Sequence, residues 1–414
     1  MDTLQESLNE TLKDIPAILL QNLISKKLRK LGITPSRGLA KKLAKHVLSR
    51  ASKRFTYNSR KHSGNINLAF DEADANEIAR AFERFQEEQL PKILPEIAQR
   101  LSKTVLRALK SRWPDEHAQQ EADLSGFRQR LEERWGKPLG QLRMLLTMSR
   151  EWCQWAHSRT ESLRRGKKTQ LRTILMRLLV RGCQVTDEII CLLENGFADG
   201  AMARWRTLHE IAVVAAVISQ HGETIAERYL DHQAVESKHA LDKYMACYKD
   251  LGYKPLPARE QRKIVKAYDQ VIAKYGPSFK TDYGWAALHL KNQRPTFVDL
   301  EKAAGREEMR SYYQMGNDNV HAGIKSMYVR LGLLDYDGLL SGRSNCGLME
   351  PGQNAAHTLT QLSALVCLSE PNMDDLVAGD MMRMLRDEVP QSFYKADRQL
   401  LKDDKKYRED NTDQ

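Results

Sequence analysis

Long apolar runs are missing from this sequence, and so is any cysteine pair spaced as CxxC. No stretch approaches the roughly 18 apolar residues that a membrane-spanning helix needs, and the mean hydropathy is −0.57. The opening MDTLQESLNETLKD has neither the basic start nor the apolar core of a secretory signal, so a cytoplasmic location and no membrane partner are expected. Six cysteines scattered over 414 residues fit reduced thiols better than a disulfide framework. HExxH, a phosphate-binding glycine loop, a nucleophile elbow and a dinucleotide fingerprint are all lacking. His232 and His239 are seven apart, and no His, Asp and Glu trio has ligand spacing, so neither metal nor cofactor is expected.

The most informative absence is local. Between Ile15 and Phe70 there is no Asp or Glu, yet the stretch holds thirteen Lys and Arg. The formal net charge is +11, and residues 1–14 are acidic, so everything beyond Phe70 is close to neutral. Concentrated positive charge attracts polyanions, because each neutralised phosphate releases condensed counterions. RNA or DNA held through residues 15–70 is the expected partner, with Lys26, Lys27, Arg29, Lys30, Lys41, Lys42 and Lys45 as the contacts. Docking onto an acidic surface of the same chain, or onto an anionic membrane surface, are the competing uses of such a block.

Helical periodicity fills the rest, and strand signals are few, so an all-α fold is expected. Leu4, Leu8, Leu12, Ile15, Leu19 and Leu23 form one apolar row, with Pro16 as a bend or restart and Gly32 as a stop. Thr34-Pro35 reads as the cap of a second helix, giving a helix-turn-helix outline. The run NSRKHSGNIN reads as a linker and WPDEHAQQEADLSG as a loop. Leu142, Leu145, Leu146, Trp152 and Trp155 are core candidates on the helix that follows. The composition suggests a basic arm over 1–65, a helical connection over 66–165, a main helical domain over 166–370 and a charged, partly disordered tail over 371–414.

Two polar segments interrupt apolar helices. In RWRTLHE, Arg204 and Arg206 flank Trp205, and Glu210 shares a face with Arg206. Charge in such a helix must be paired, and Asp187 and Glu188 on the preceding helix are the expected partners; a buried ion network and a polar pocket both satisfy this. In YYQMGNDNVHAG, Tyr312, Asn317, Asn319 and His321 crowd together, and His321 is the group suited to proton transfer. The competing reading is a helix-end histidine with capping asparagines. If the two segments converge, Arg206, Asn317 and His321 form a catalytic set, with Arg204, Glu210, Tyr229, Tyr312 and Asn319 as binding residues.

The blocks LLENGFADGAMARWRTLHEIAVV, AERYLDHQAVES, DYGWAALHL, RPTFVDLE, NDNVHAG and GLMEPGQ resemble bacterial proteins of domain-of-unknown-function family 5677, over about 170–365. The resemblance implies a helical fold and a bacterial cytosolic origin, and it carries no reaction with it. A second analogy is to HEPN proteins, small helical ribonucleases of toxin–antitoxin and phage-defence systems, whose signature runs Arg, Asn, then His. Asn317 and His321 match its Asn and His, but Gly316 stands where the Arg belongs, so an arginine from elsewhere must supply the phosphate contact. Three functions follow as expectations: a nucleic-acid-associated binding or effector protein, a metal-independent ribonuclease, or a structural module whose partner is another protein, a second copy included.

Overall fold

Leu20, Leu23, Ile24 and Leu28 recur every three or four residues, and a helix buries them on one side. In the computed structural model, which describes residues 4–49, 54–57, 64–162, 170–334, 338–368 and 371–411, that helix is α2 (Ile15–Lys30), preceded by α1 (Leu4–Lys13). Pro16 sits in the first turn of α2, where its missing N–H costs nothing. After Gly32, with φ 77°, α3 (Arg37–Ser49) begins. Its cap is Ser36 rather than Thr34: the Leu39 N–H donates to Ser36 Oγ at 3.2 Å. Residues 58–63 of the expected linker lie outside the described residues. α4 (Glu72–Arg84) opens with a capping box between Asp71 and Asp74.

The chain divides into two units, Met1–Gln120 and Glu121–Gln414. The core of the first is small: Leu20, Ile24, Leu28, Ile33, Ala40 and Ala44, with Leu68 and Ile78 against it. Between the units no loop intervenes. A π-helical turn at Phe85–Gln89 leads into α5 (Leu90–Ser162), which runs unbroken through the stretch read above as a loop. Pro114 removes one N–H, at a cost of about 3 kcal/mol. The surrounding EHAQQEA is built from strong helix formers, and this part of the helix is exposed, so the freed carbonyl faces water.

The second unit is a layered helical assembly. α6 (Gln170–Leu193) and α7 (Ala198–His221) form a tight hairpin, and α14 (Met349–Cys367) lies against both. Gly196 makes the turn possible: its φ of 73° is left-handed, and the Phe197 N–H closes the helix end onto Leu192 O at 2.9 Å. After Gly222 the helical run is broken at His232 into α8 (Glu223–Asp231) and α9 (Gln233–Cys247), followed by α10 (Ala258–Tyr275). α11 (Phe297–Ala304) and α12 (Arg310–Asp318) pack on α7, and a single turn, α13 (Lys325–Tyr328), follows. The tail expected to fray is instead α15 (Met373–Asn411), packed on α14. Met382, Val389, Phe393, Ala396 and Leu400 are buried beneath its charged surface, spaced three, four and seven apart so that charge masks the periodicity. Trp135, Trp152, Trp205, Phe279 and Phe393 are fully buried. Trp155 is not; at 56% exposure it points away from the face that buries Trp152. No strand occurs among the described residues, and no helix there is long and apolar enough to cross a membrane.

Candidate functional site

In the first unit the lysines of α2 divide into two groups. Lys26 pairs with Glu77 at 2.8 Å, and Lys27 pairs with Asp74 while also donating to Ala69 O at 2.8 Å. Lys27 and the Asp71 N–H hold the Asp74 carboxyl below the usual carboxylate range. Part of the basic block therefore docks onto α4 of the same chain. Arg29, Lys30, Lys41, Lys42 and Lys45 are exposed and have no carboxylate partner among the described residues. Three of them belong to α3, whose opposite side is fixed by Leu39, Ala40, Leu43, Ala44 and Val47. Lys42 lies 5.9 Å from the Tyr57 ring centroid. The result is a cationic face on a packed helix.

In the second unit the two polar segments do meet, through residues other than His321. Gly316 of α12 lies against Arg206 and the Met202 carbonyl of α7. One turn earlier, Tyr313 Oη donates to Glu210 Oε1 at 2.7 Å, and Arg206 Nε approaches the same oxygen at 3.2 Å. The Tyr313 ring sits 4.7 Å from the Arg206 guanidinium and 5.2 Å from that of Arg310. Burial, reinforced by Glu210, pushes the Tyr313 hydroxyl well above its ordinary value. Arg310 in turn donates to Glu301 Oε2 at 2.8 Å, and His209 Nε2 meets Glu301 Oε1 at 3.0 Å. A carboxylate can only accept, so His209 Nε2 carries the hydrogen. His209 and Glu301 are 2% and 1% exposed, and burial lowers the His209 pKa, so the ring is neutral. Within this network only His209 and Glu301 are sealed from solvent, Arg206, Glu210 and Arg310 being partly exposed, and its charges are matched inside the chain.

The remaining predicted residues fall elsewhere. Arg204 pairs with Glu188, as expected from the hairpin, while Asp187 pairs with Arg150 at 2.8 Å and Arg206 with neither. Tyr229 belongs to α8, where its ring meets Trp285 edge-on at 5.1 Å. Tyr312 is turned outward, edge-on to Trp205 at 6.5 Å. Asn319 and His321 line an open cleft of about 450 Å³ together with Asp199, Asp318, Ser326 and Arg330. Arg206 does not line it. Asp199, in the first turn of α7, accepts from the Leu331 N–H at 2.9 Å and from Arg330 Nε at 3.1 Å, which fixes one wall. Asn317 Oδ1 is buried without a hydrogen-bond partner. The arrangement places a histidine and an arginine in one cleft, but the arginine is Arg330, not Arg206.

Sequence reasoning passed over His209, Glu301, Arg310, Asp199 and Arg330. It also passed over Arg228, which is buried between Tyr275 and Phe279 and donates to the Trp285 carbonyl at 2.9 Å. The buried thiols of Cys153 and Cys183 are raised by desolvation, Cys183 to about 12, so neither is a nucleophile. No group of three or more His, Cys, Asp or Glu that could hold a metal occurs among the described residues.

No curated protein and no solved structure matches the chain. A family model does match, over residues 172–339, and so takes in both polar segments and the cleft but stops short of GLMEPGQ. The model that residues 172–339 match is that of DUF5677, a family of unknown function.

Proposed function

We propose that the chain is a nucleic-acid-associated binding protein that lays the outer face of α3 and the end of α2 on a phosphate backbone. One observation carries this: five exposed cations, Arg29, Lys30, Lys41, Lys42 and Lys45, have no carboxylate partner among the described residues, whereas the neighbouring Lys26 and Lys27 are neutralised by α4. A rigid cationic helix face loses little side-chain freedom beyond its lysine ends on meeting phosphate, and its affinity comes from counterion release. The test compares the full chain with a Lys41→Glu, Lys42→Glu, Lys45→Glu variant on labelled duplex DNA and on RNA. Binding weakens steeply with salt in the parent, and the slope of log K against log salt falls by about 2–3 in the variant. Equal slopes, or retention that ignores salt, overturn the proposal.

A second reading is metal-independent cleavage of RNA in the α7–α12 cleft. It is favoured by the presence of Arg330 beside His321, since a phosphate contact and an acid–base group then share one opening. His321 is exposed at the mouth of this cleft. Degradation of total RNA in EDTA by the parent, lost in both His321→Ala and Arg330→Ala, supports it. Equal activity in all three, or none in any, removes it.

A further inference from the structure

Two aromatic rings of the first unit, Phe55 and Tyr57, are not among the apolar side chains packed on Leu20, Ile24 and Leu28. They belong to the segment 54–57, which is neither helix nor strand. Phe55 lies against His46, with ring centroids 5.2 Å apart, and Tyr57 lies beside Lys42, one turn earlier on α3. The segment therefore runs back along the edge of the helix face that bears Lys41, Lys42 and Lys45. The two rings are 6.4 Å apart and only 13° from parallel. Tyr57 is 41% exposed.

An exposed ring beside lysines can do what lysines alone cannot. In a duplex the faces of each base are covered by its neighbours, so a protein reaches only phosphates, sugars and base edges. In a single strand the faces are open, and stacking on aromatic side chains adds to the attraction of the backbone. No acid occurs between Ile15 and Phe70 to repel a phosphate. The Lys42 ammonium, 5.9 Å from the Tyr57 ring centre, is at the outer reach of cation–π attraction, so it gives up the ring readily and turns to a phosphate when a base arrives. We propose, resting on the cationic-face reading above, that the ligand of this face is single-stranded nucleic acid. Its bases stack on Tyr57 and Phe55 while its phosphates follow Lys41, Lys42 and Lys45.

The test measures fluorescence anisotropy of labelled oligo-dT, oligo-rU and a DNA duplex of the same length with the full chain. The parent holds the single strands more tightly than the duplex at equal salt. Tyr57→Ala weakens single-strand binding about tenfold and duplex binding by less than about twofold. Tyr57→Phe keeps the ring and binds as the parent does. Stacking releases no counterions, so the slope of log K against log salt is the same in Tyr57→Ala as in the parent, whereas the triple lysine variant lowers it. A preference for oligo-rU over oligo-dT, or the reverse, supports the proposal and names the sugar. Single-strand binding indifferent to Tyr57→Ala overturns it, as does an equal loss on single strand and duplex; a steep salt slope in either case leaves the cationic face standing. Parent binding that ignores salt removes the cationic face and the stacked strand together.

Discussion

The arginines of α7 and the lysines of α3 carry the same charge in opposite circumstances. Arg206 touches Glu210 and lies over Tyr313, and Arg204 is paired with Glu188. Lys41, Lys42 and Lys45 meet no carboxylate among the described residues. These arginines are half-buried against a large apolar core, and an unpaired charge there costs more the deeper it lies. A charge on a helix face in water faces no such demand, so its lack of a partner is information about what lies outside. Polar residues inside greasy helices are therefore evidence about packing, and unmatched surface charge is evidence about ligands.

The largest test of this contrast is Glu301→Ala. The carboxylate holds His209 and Arg310 together at a site 1% exposed, so its loss strands both partners. Stability drops by about 3 kcal/mol, read from the urea midpoint. A loss under about 1 kcal/mol would show that the network is not what fixes α11 and α12 on α7.

Acidification strikes the same unit next. Burial lowers the pKa of His209, His289 and His357 from the ordinary 6.5. The folded chain thus holds fewer protons than the unfolded one just below that value. Stability is complete above pH 6.5 and is lost progressively as the pH falls below it. Urea midpoints that stay constant from neutral pH down to the carboxylate range would contradict the burial of these rings as neutral groups.

The sequence made the helices legible wherever apolar spacing and a stop residue agreed. Gly32, Gly196 and Gly222 end helices as their positions suggest. Boundaries resting on composition alone were less dependable. WPDEHAQQEADLSG looks like a loop because Pro, Asp and Gly punctuate it, yet each is tolerated on an exposed helix. KADRQLLKDDKKYRED looks like a fraying tail because charge outnumbers the single buried leucine, Leu400, that fixes it. Trp155 looks equivalent to Trp152 until the phase of the helix is known. The candidate site was legible in part. Tyr313 and Arg206 lie in the two segments singled out, but Glu301 is 92 residues from His209, and no local pattern announces a partner at that distance. Arg330 in the cleft was hidden for the same reason.

A smaller effect is expected at Arg204. Its guanidinium and the Glu188 carboxylate are both partly solvated, so water replaces either partner when the other is removed. Arg204→Ala lowers stability by about 0.2–1 kcal/mol. Placed beside Glu301→Ala, it separates burial from pairing as the source of the cost: one carboxylate sealed from water, the other half-exposed, and several-fold apart in consequence. Similar losses for the two variants would mean that pairing itself, not desolvation, sets the scale.

The smallest effect should have the opposite sign. Lys41 and Lys45 are one turn apart on α3 with no acid between them, and like charges at that spacing destabilise a helix by a few tenths of a kcal/mol. Neutralising Lys45 to Gln removes the repulsion and leaves the packed side of α3 untouched. Thermal unfolding should therefore shift upward by a small amount, while nucleic-acid retention at low salt weakens. A residue whose removal stabilises the fold and impairs binding is retained at a cost in stability, which a solubilising charge has no reason to impose. If Lys45→Gln instead lowers the melting temperature, Lys45 has a partner within the chain, and α3 resembles α7 after all.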